Sequence, residues 1–183
     1  MGEPIKLDAP FDRETARSLN VGQPVLLSGT VLTARDAAHK RLCELIDQGR
    51  QDELPVDLCD QVIYFVGPTP PRPGRVIGAA GPTTSSRMDT YTPKLLAVGL
   101  RATIGKGYRN LAVRQALEEY GAVHFSAIGG AGALLAQCIK ASTILAYDDL
   151  GTEAIRQLKV ENLPLIVAYD AHGNSVYPCE PQP

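Results

Sequence analysis

The sequence lacks the features that mark secreted, membrane-bound and nucleic-acid-binding chains. No apolar run approaches the roughly 18 residues that span a bilayer. The opening stretch MGEPIKLDAPFDRETARSL is acidic and amphipathic, without the apolar segment of a secretory leader. Met1-Gly2 does not continue into a myristoylation motif, because Pro4 and Lys6 do not fit it. A cytoplasmic protein without membrane contact is therefore expected. Net charge is only −2, whereas nucleic-acid binders are usually basic. Any anionic ligand would have to be held by local charge.

The four cysteines, Cys43, Cys59, Cys138 and Cys179, form no CxxC and are irregularly spaced. Disulfides or a metal site contained in this chain are not expected. The phosphate-loop motif G-x-x-x-x-G-K-[ST] and the dinucleotide fingerprint G-x-G-x-x-G are both missing. No obvious acid–base pair and no cluster of metal ligands stands out, so a complete catalyst for a hard reaction is not visible.

What remains is an ordinary globular composition, 183 residues with 44% hydrophobic and 21% charged. That length suits a single domain over 1–183 with a real core, in which residues 1–20 read as a polar N-terminal arm. PVLLSGTVL (24–32) is predicted as a strand. Thr33 and Asp36 give a T-x-x-D helix start in which Arg35 falls in the first turn, and Ala38, Leu42, Leu45 and Ile46 recur at helical spacing before Gly49. Strands are predicted at 61–67 and 75–81, separated by the proline-rich turn 68–74. A helix is expected from Thr84 toward Gly99, bent or divided by Pro93. A strand (100–105), a helix (110–120) and a strand (121–129) follow. Then come a helix opened by glycines (130–142), a strand (143–149) and a short helix (151–158). LPLIVAYD and SVYP flank AHGN as a terminal hairpin. Strands mostly alternate with helices, so the class is α/β with a partly parallel sheet.

Several residues could hold an anion. Thr83, Thr84 and Ser85 stand at a strand-to-helix junction, where free N–H groups, hydroxyls and a positive dipole end converge. Arg87 adds a planar fork suited to a carboxylate. The plainer reading is that Thr84 or Ser85 caps a helix and Arg87 is solvated. Lys106 lies between Gly105 and Gly107 at a strand end, where α/β sheets place ligands, or it is an ordinary turn lysine. Arg35 and His39 are four apart and share a helix side. A cation near a helix start is unfavourable for the dipole, which hints at an anion brought to Arg35. His39 is read as structural before catalytic. Gly129, Gly130 and Gly132 point to close backbone approach or to tight helix packing. Asp148 and Asp149 read as solvated. Three cations, Arg35, Arg87 and Lys106, suit a small dicarboxylate.

Four stretches carry a resemblance: TARDAAHKR (33–41), GPTTSSRMDTYTPKLL (81–96), IGKG (104–107) and SAIGGAGALLA (126–136). They are similar to the β component of class I, iron–sulfur-dependent fumarate hydratases, and the related tartrate dehydratase β subunits share them. The resemblance covers roughly residues 5–178. It implies a swivelling β/β/α three-layer domain. It also implies a partner α subunit carrying a [4Fe–4S] cluster on its own cysteines, in a heteromer of α2β2 type. The implied reaction is reversible hydration of fumarate to (S)-malate, with a C4 dicarboxylate as the small-molecule partner. By match to the family motifs, Arg35, Arg87 and Lys106 would hold the carboxylates, Thr83 would be the base at C3, and Asp36 and His39 would orient Arg35. One-chain fumarases usually read GPTTAGRMD where this chain reads GPTTSSRMD, so substrate choice rests on few side chains. A tartrate dehydratase β subunit and a non-catalytic dicarboxylate-binding module are the alternatives.

Overall fold

The computed structural model describes residues 3–177. Among these residues no helix is long and apolar enough to cross a membrane. In chain order the elements are β1 (Ile5–Ala9), α1 (Arg13–Ser18), β2 (Pro24–Thr33), α2 (Asp36–Asp47), β3 (Val62–Tyr64), α3 (Thr92–Ala97), β4 (Ala102–Gly105), α4 (Leu111–Tyr120), β5 (Val123–Ser126), α5 (Gly132–Gln137), β6 (Ile139–Ala146) and β7 (Ile155–Tyr169). Short 3₁₀ turns occupy Gln51–Glu53, Ser85–Met88 and Asp148–Glu153.

Local chemistry sets the clearest boundaries. The Asp12 carboxylate accepts from Thr15 N at 2.8 Å and starts α1. Asn110 Oδ1 accepts from Val113 N at 2.9 Å and starts α4, which Gly121 ends in the left-handed region at φ 62°.

The fold is mixed α/β with a seven-stranded sheet. Strands β1 to β5 pair in parallel with their chain neighbours. The long β7 runs antiparallel to β2, β5 and β6. Ile166 faces Pro24 across one edge of β7 and Ser126 across the other. The pairings β2–β3–β4–β5–β7–β2 therefore close into a ring, with β1 and β6 as flanks.

Strand alternation separates two cores. Val62, Tyr64, Ala102, Ile104, Val123 and Phe125 join Leu27, Val31, Leu163 and Val167 of β2 and β7 in one. Ile63 and Phe65 point the other way and pack with Leu42, Leu95, Leu96, Val113 and Leu117 from α2, α3 and α4. Because β2 to β5 run parallel, their C-terminal ends lie along one margin. The segments that leave them, beginning near Arg35, Gly67, Lys106 and Gly129, converge there.

Several sequence expectations are corrected. The described part of the expected arm, residues 3–20, is built into the fold: β1 adds to the sheet and α1 buries Ala16. The segment 75–81 is irregular, since it packs against its own loop: a Cβ on Gly78 would lie 2.2 Å from Thr69 O. The helix expected from Thr84 becomes a 3₁₀ turn and α3, divided just before Pro93 in the first turn of α3. The 130–142 helix stops at Gln137, and β6 takes over at Ile139 to pair with β7. Residues 155–158 are strand, not helix, because β7 pairs there on both edges. The terminal hairpin reduces to a single bridge, Tyr169 with Ser175. Pro178 and Cys179 lie outside the described residues.

Gly29 sits at a register shift in β2 with φ +100°, and a Cβ there would lie 2.1 Å from Ala9 O. Gly29→Ala is expected to destabilise the chain by about 2 kcal/mol or more, since both the backbone angle and the β1 contact would have to change. Urea unfolding measures this; an unchanged midpoint would contradict the packing described.

Candidate functional site

Residues Thr83 to Ser85 enter the gap between the ends of β3 and β4 like a short extra strand. Thr83 N donates to Phe65 O at 2.7 Å, Lys106 N donates to Thr83 O at 3.3 Å, and Ser85 N donates to Lys106 O at 2.8 Å. Gly105 makes the insertion possible: a Cβ there would lie 2.2 Å from Ser85 Oγ. The result places Thr83, half-buried, and Thr84, exposed, beside Lys106 at the sheet margin. Lys106 extends over Gly129, whose missing side chain leaves room for it. Among the described residues no carboxylate pairs with the Lys106 ammonium.

Arg35 lies on the other side of the inserted segment. Its side chain crosses Gly67, where a Cβ would lie 2.5 Å from Nη1. The guanidinium is 3.8 Å from Asp36 and 3.5 Å from Glu153, and its buried Nε has no hydrogen-bond partner among the described residues. Arg35 is the N-cap of α2, not part of its first turn. Glu153 supplies the cap instead, accepting from Ala37 N at 2.8 Å. Thr33 does not cap: its hydroxyl donates to Ala154 O at 3.2 Å and accepts from Arg156 N at 3.0 Å, which ties β2 to β7. Arg87 is half-exposed and turns one edge to Asp36, with Nε at 3.1 Å from Oδ1 and Nη2 at 2.7 Å from Oδ2. Asp36 thus holds the Arg87 fork more closely than it holds Arg35. Nη1 of Arg87 stays outside that pair.

Behind this margin is a buried polar cluster that sequence reasoning missed. Arg109 is fully buried, and its Nε donates to Asp89 at 2.7 Å. Nη2 donates to the Thr92 hydroxyl at 2.6 Å, and Nη1 is shared between Thr103 and His124 Nδ1, each at 3.2 Å. The second Asp89 oxygen accepts from Asn110 N at 2.7 Å. Thr103 Oγ lies 2.7 Å from His124 Nδ1. An arginine can only donate, so His124 Nδ1 is the acceptor and its proton sits on Nε2, 3.2 Å from Ser85 Oγ. Burial, then the Arg109 charge, holds His124 well below the usual imidazole range. Two signals were available: Thr103 and His124 are polar residues at alternate positions of apolar strands, pointing away from Ile104 and Phe125.

His39 is also fully buried. Its Nδ1–H donates to Arg35 O at 2.8 Å, which leaves a bare Nε2 with no partner among the described residues. Burial pushes its pKa down to about 4. It faces Phe65 and Tyr91, not the guanidinium of Arg35. Its connection to Arg35 runs through the backbone carbonyl. Asp149 is paired with Arg41 at 2.9 Å, so it is engaged in an ion pair instead of simply solvated.

A metal centre finds little support in these donors. Among the described residues no three His, Cys, Asp or Glu side chains group together. Cys43, Cys59 and Cys138 are free thiols in buried, exposed and half-buried settings. This donor set does not fit an iron–sulfur cluster.

Comparison with known proteins gives a consistent result. Residues 2–179 match the family described as "Fumarase C-terminus". A putative class I fumarate hydratase of Geobacillus stearothermophilus is 38% identical over 94% of this chain and 33% of its own length. The anaerobic class I fumarate hydratase of Escherichia coli is 37% identical over 96% of this chain and 33% of its own. A putative L(+)-tartrate dehydratase subunit beta of Methanocaldococcus jannaschii is 37% identical, covering 90% of this chain and 87% of its own. The chain thus spans about a third of the fumarate hydratases it matches and most of the tartrate dehydratase subunit.

Two tests follow from the buried groups. Asp89→Ala leaves Arg109 charged and unpaired in the core, and is expected to cost about 3–5 kcal/mol by urea unfolding; a loss under about 1 kcal/mol would contradict the pairing. His39 and His124 have native pKa values below the unfolded value of 6.5. The unfolded chain therefore binds protons first, so stability is full above about pH 6.5 and falls as pH drops toward about 4, by about 1 kcal/mol per unit for each histidine. Thermal unfolding between pH 7.5 and 5 should show this decline, reduced in His39→Gln. A melting temperature flat over that range would contradict it.

Proposed function

The chain belongs to the fumarase C-terminus family, and on that premise we propose that it is the β subunit of a two-chain class I fumarate hydratase, active only when an α subunit completes the site. The observation that carries the reading is the row of Arg35, Thr83, Lys106 and Arg87 along one margin of the parallel strands. The chain spans about a third of the fumarate hydratases it resembles, so the whole enzyme's activity is part of the proposal. The fold assignment that accompanies it is the swivelling β/β/α domain, which the two separate cores support.

In this reading the cations serve the hardest step. Removing the C3 proton of (S)-malate pushes negative charge into the adjacent carboxylate. Fixed cations aimed at that carboxylate stabilise the developing dianion and need no reorganisation as it forms. Lys106 suits this role because no carboxylate among the described residues pairs with it. Arg35 is held at 3.5 Å or more from its carboxylate neighbours, which leaves hydrogen-bonding capacity for a ligand. Arg87, braced by Asp36, presents its remaining Nη1 edge. Thr83 is the candidate base at C3, with its position fixed by Phe65 O and Lys106 N. A threonine hydroxyl needs nearby cations such as Lys106 to lower its proton affinity, and they must outweigh the opposing effect of partial burial. The [4Fe–4S] cluster is assigned to the α subunit, where it would act as a Lewis acid. The assembly is assigned as an α2β2 heteromer in the cytoplasm.

A second reading has its own support. Of the relatives named above, the one whose own length this chain mostly covers, 87%, is named a putative L(+)-tartrate dehydratase subunit beta. That subunit and this one would share the cation row and differ in substrate.

Anaerobic assay of this chain, alone and mixed with a cluster-loaded α subunit from the same genome, decides among them. Activity on fumarate is expected only in the mixture. Arg87→Ala and Lys106→Ala should each lower kcat/KM by about 10²–10³-fold. A preference for tartrate would select the second reading. No activity on either substrate, with a partner that holds its cluster and binds this chain, would indicate a non-catalytic dicarboxylate-binding module.

A further inference from the structure

We propose that His124 is a positioning residue for this site, holding the Ser85 hydroxyl through its Nε2–H and so setting the register of Thr83 and Lys106; the inference rests on the dicarboxylate-site reading above. His124 is fully buried and no ligand can reach it. Its action on the site would run entirely through Ser85.

The geometry supports this in three steps. The first concerns proton placement. Arg109 Nη1 at 3.2 Å and Thr103 Oγ at 2.7 Å both approach Nδ1, which leaves Nε2 as the donor. The imidazole therefore meets Ser85 as a fixed donor.

The second concerns confinement. Ser85 is fully buried, with its Oγ 3.2 Å from Nε2 and in the space a side chain on Gly105 would need. Its N–H is bonded to Lys106 O, and Lys106 N is bonded to Thr83 O. A displacement of Ser85 would pass directly into the two residues that face the ligand.

The third concerns cost. A fully buried arginine and a buried imidazole are expensive, and apolar side chains of similar volume would often fill such a space more stably. Asp89, Thr92 and Thr103 satisfy Arg109, and the one bond the cluster sends toward the site margin through His124 is the bond to Ser85. That bond also satisfies the buried Nε2–H, which would otherwise lack an acceptor.

The test uses the reconstituted α/β complex under anaerobic conditions. Wild-type activity is measured first. An inactive wild-type mixture overturns the functional reading and this inference with it. With an active mixture, Ser85→Ala is expected to lower kcat about tenfold while KM changes less than threefold. His124→Leu should lower kcat by at least as much. His124→Gln, which keeps an N–H near the Nε2 position, should recover to within about threefold of wild type. Adding Ser85→Ala to His124→Leu should cost nothing further, because both remove the same bond. A purely structural histidine would lower the unfolding midpoint and leave the assembled enzyme's kcat unchanged. Wild-type kcat in Ser85→Ala, or His124→Gln as impaired as His124→Leu, would overturn the proposal. If His124→Leu does not fold, Ser85→Ala decides the matter, since it leaves the buried cluster intact.

Discussion

Three backbone hydrogen bonds organise the candidate site: Thr83 N to Phe65 O, Lys106 N to Thr83 O, and Ser85 N to Lys106 O. They thread one loop between two strand ends, so residues distant in sequence share a rigid frame. A parallel sheet leaves unpaired N–H and C=O groups where its strands stop. Here those groups are spent on the 83–85 segment. The side chains of Thr83 and Lys106 then inherit the precision of the sheet, which loop residues alone would not have.

Charge is arranged in two tiers around this frame. At the margin, Asp36 and Glu153 steady Arg87 and Arg35, while the Lys106 ammonium has no carboxylate partner among the described residues. Beneath it, Arg109 is neutralised by Asp89 and surrounded by hydroxyls. The lower tier links α3, β4, β5 and the start of α4 in one polar cluster. It also keeps a cation close to His124, which helps hold that imidazole neutral. Margin cations can thus respond to a ligand, while the buried pair is fixed.

The sequence made the α/β class, most strands and the candidate cations legible as residue types, for identifiable reasons. Apolar runs such as VLLSGTVL and LIVAY have strand composition wherever they end up. Gly-Lys-Gly announces a turn with an accessible ammonium. The errors come from tertiary pairing. The run CIKAS looks helical in isolation, yet β7 recruits it into β6. Thr33 has the right spacing for a cap, yet β7 captures its hydroxyl. Arg109 follows a glycine turn in GYRN, a run with no apolar pattern that would mark it as buried. Only the fold shows that it is buried against Asp89, twenty residues earlier. Arg35, Arg87 and Lys106 were identifiable by residue type, but Asp36 bracing Arg87 could not be read from spacing.

In the function proposed, this margin takes the carboxylates of a C4 dicarboxylate once the second chain is in place. The most direct measurement is a crystal structure of the α/β complex with (S)-malate. Lys106 Nζ and the guanidinium of Arg35 or Arg87 are predicted to lie within hydrogen-bonding distance, about 3 Å, of a substrate carboxylate, with the Thr83 hydroxyl facing C3. Malate bound in the complex without contact to any of these residues would contradict the account.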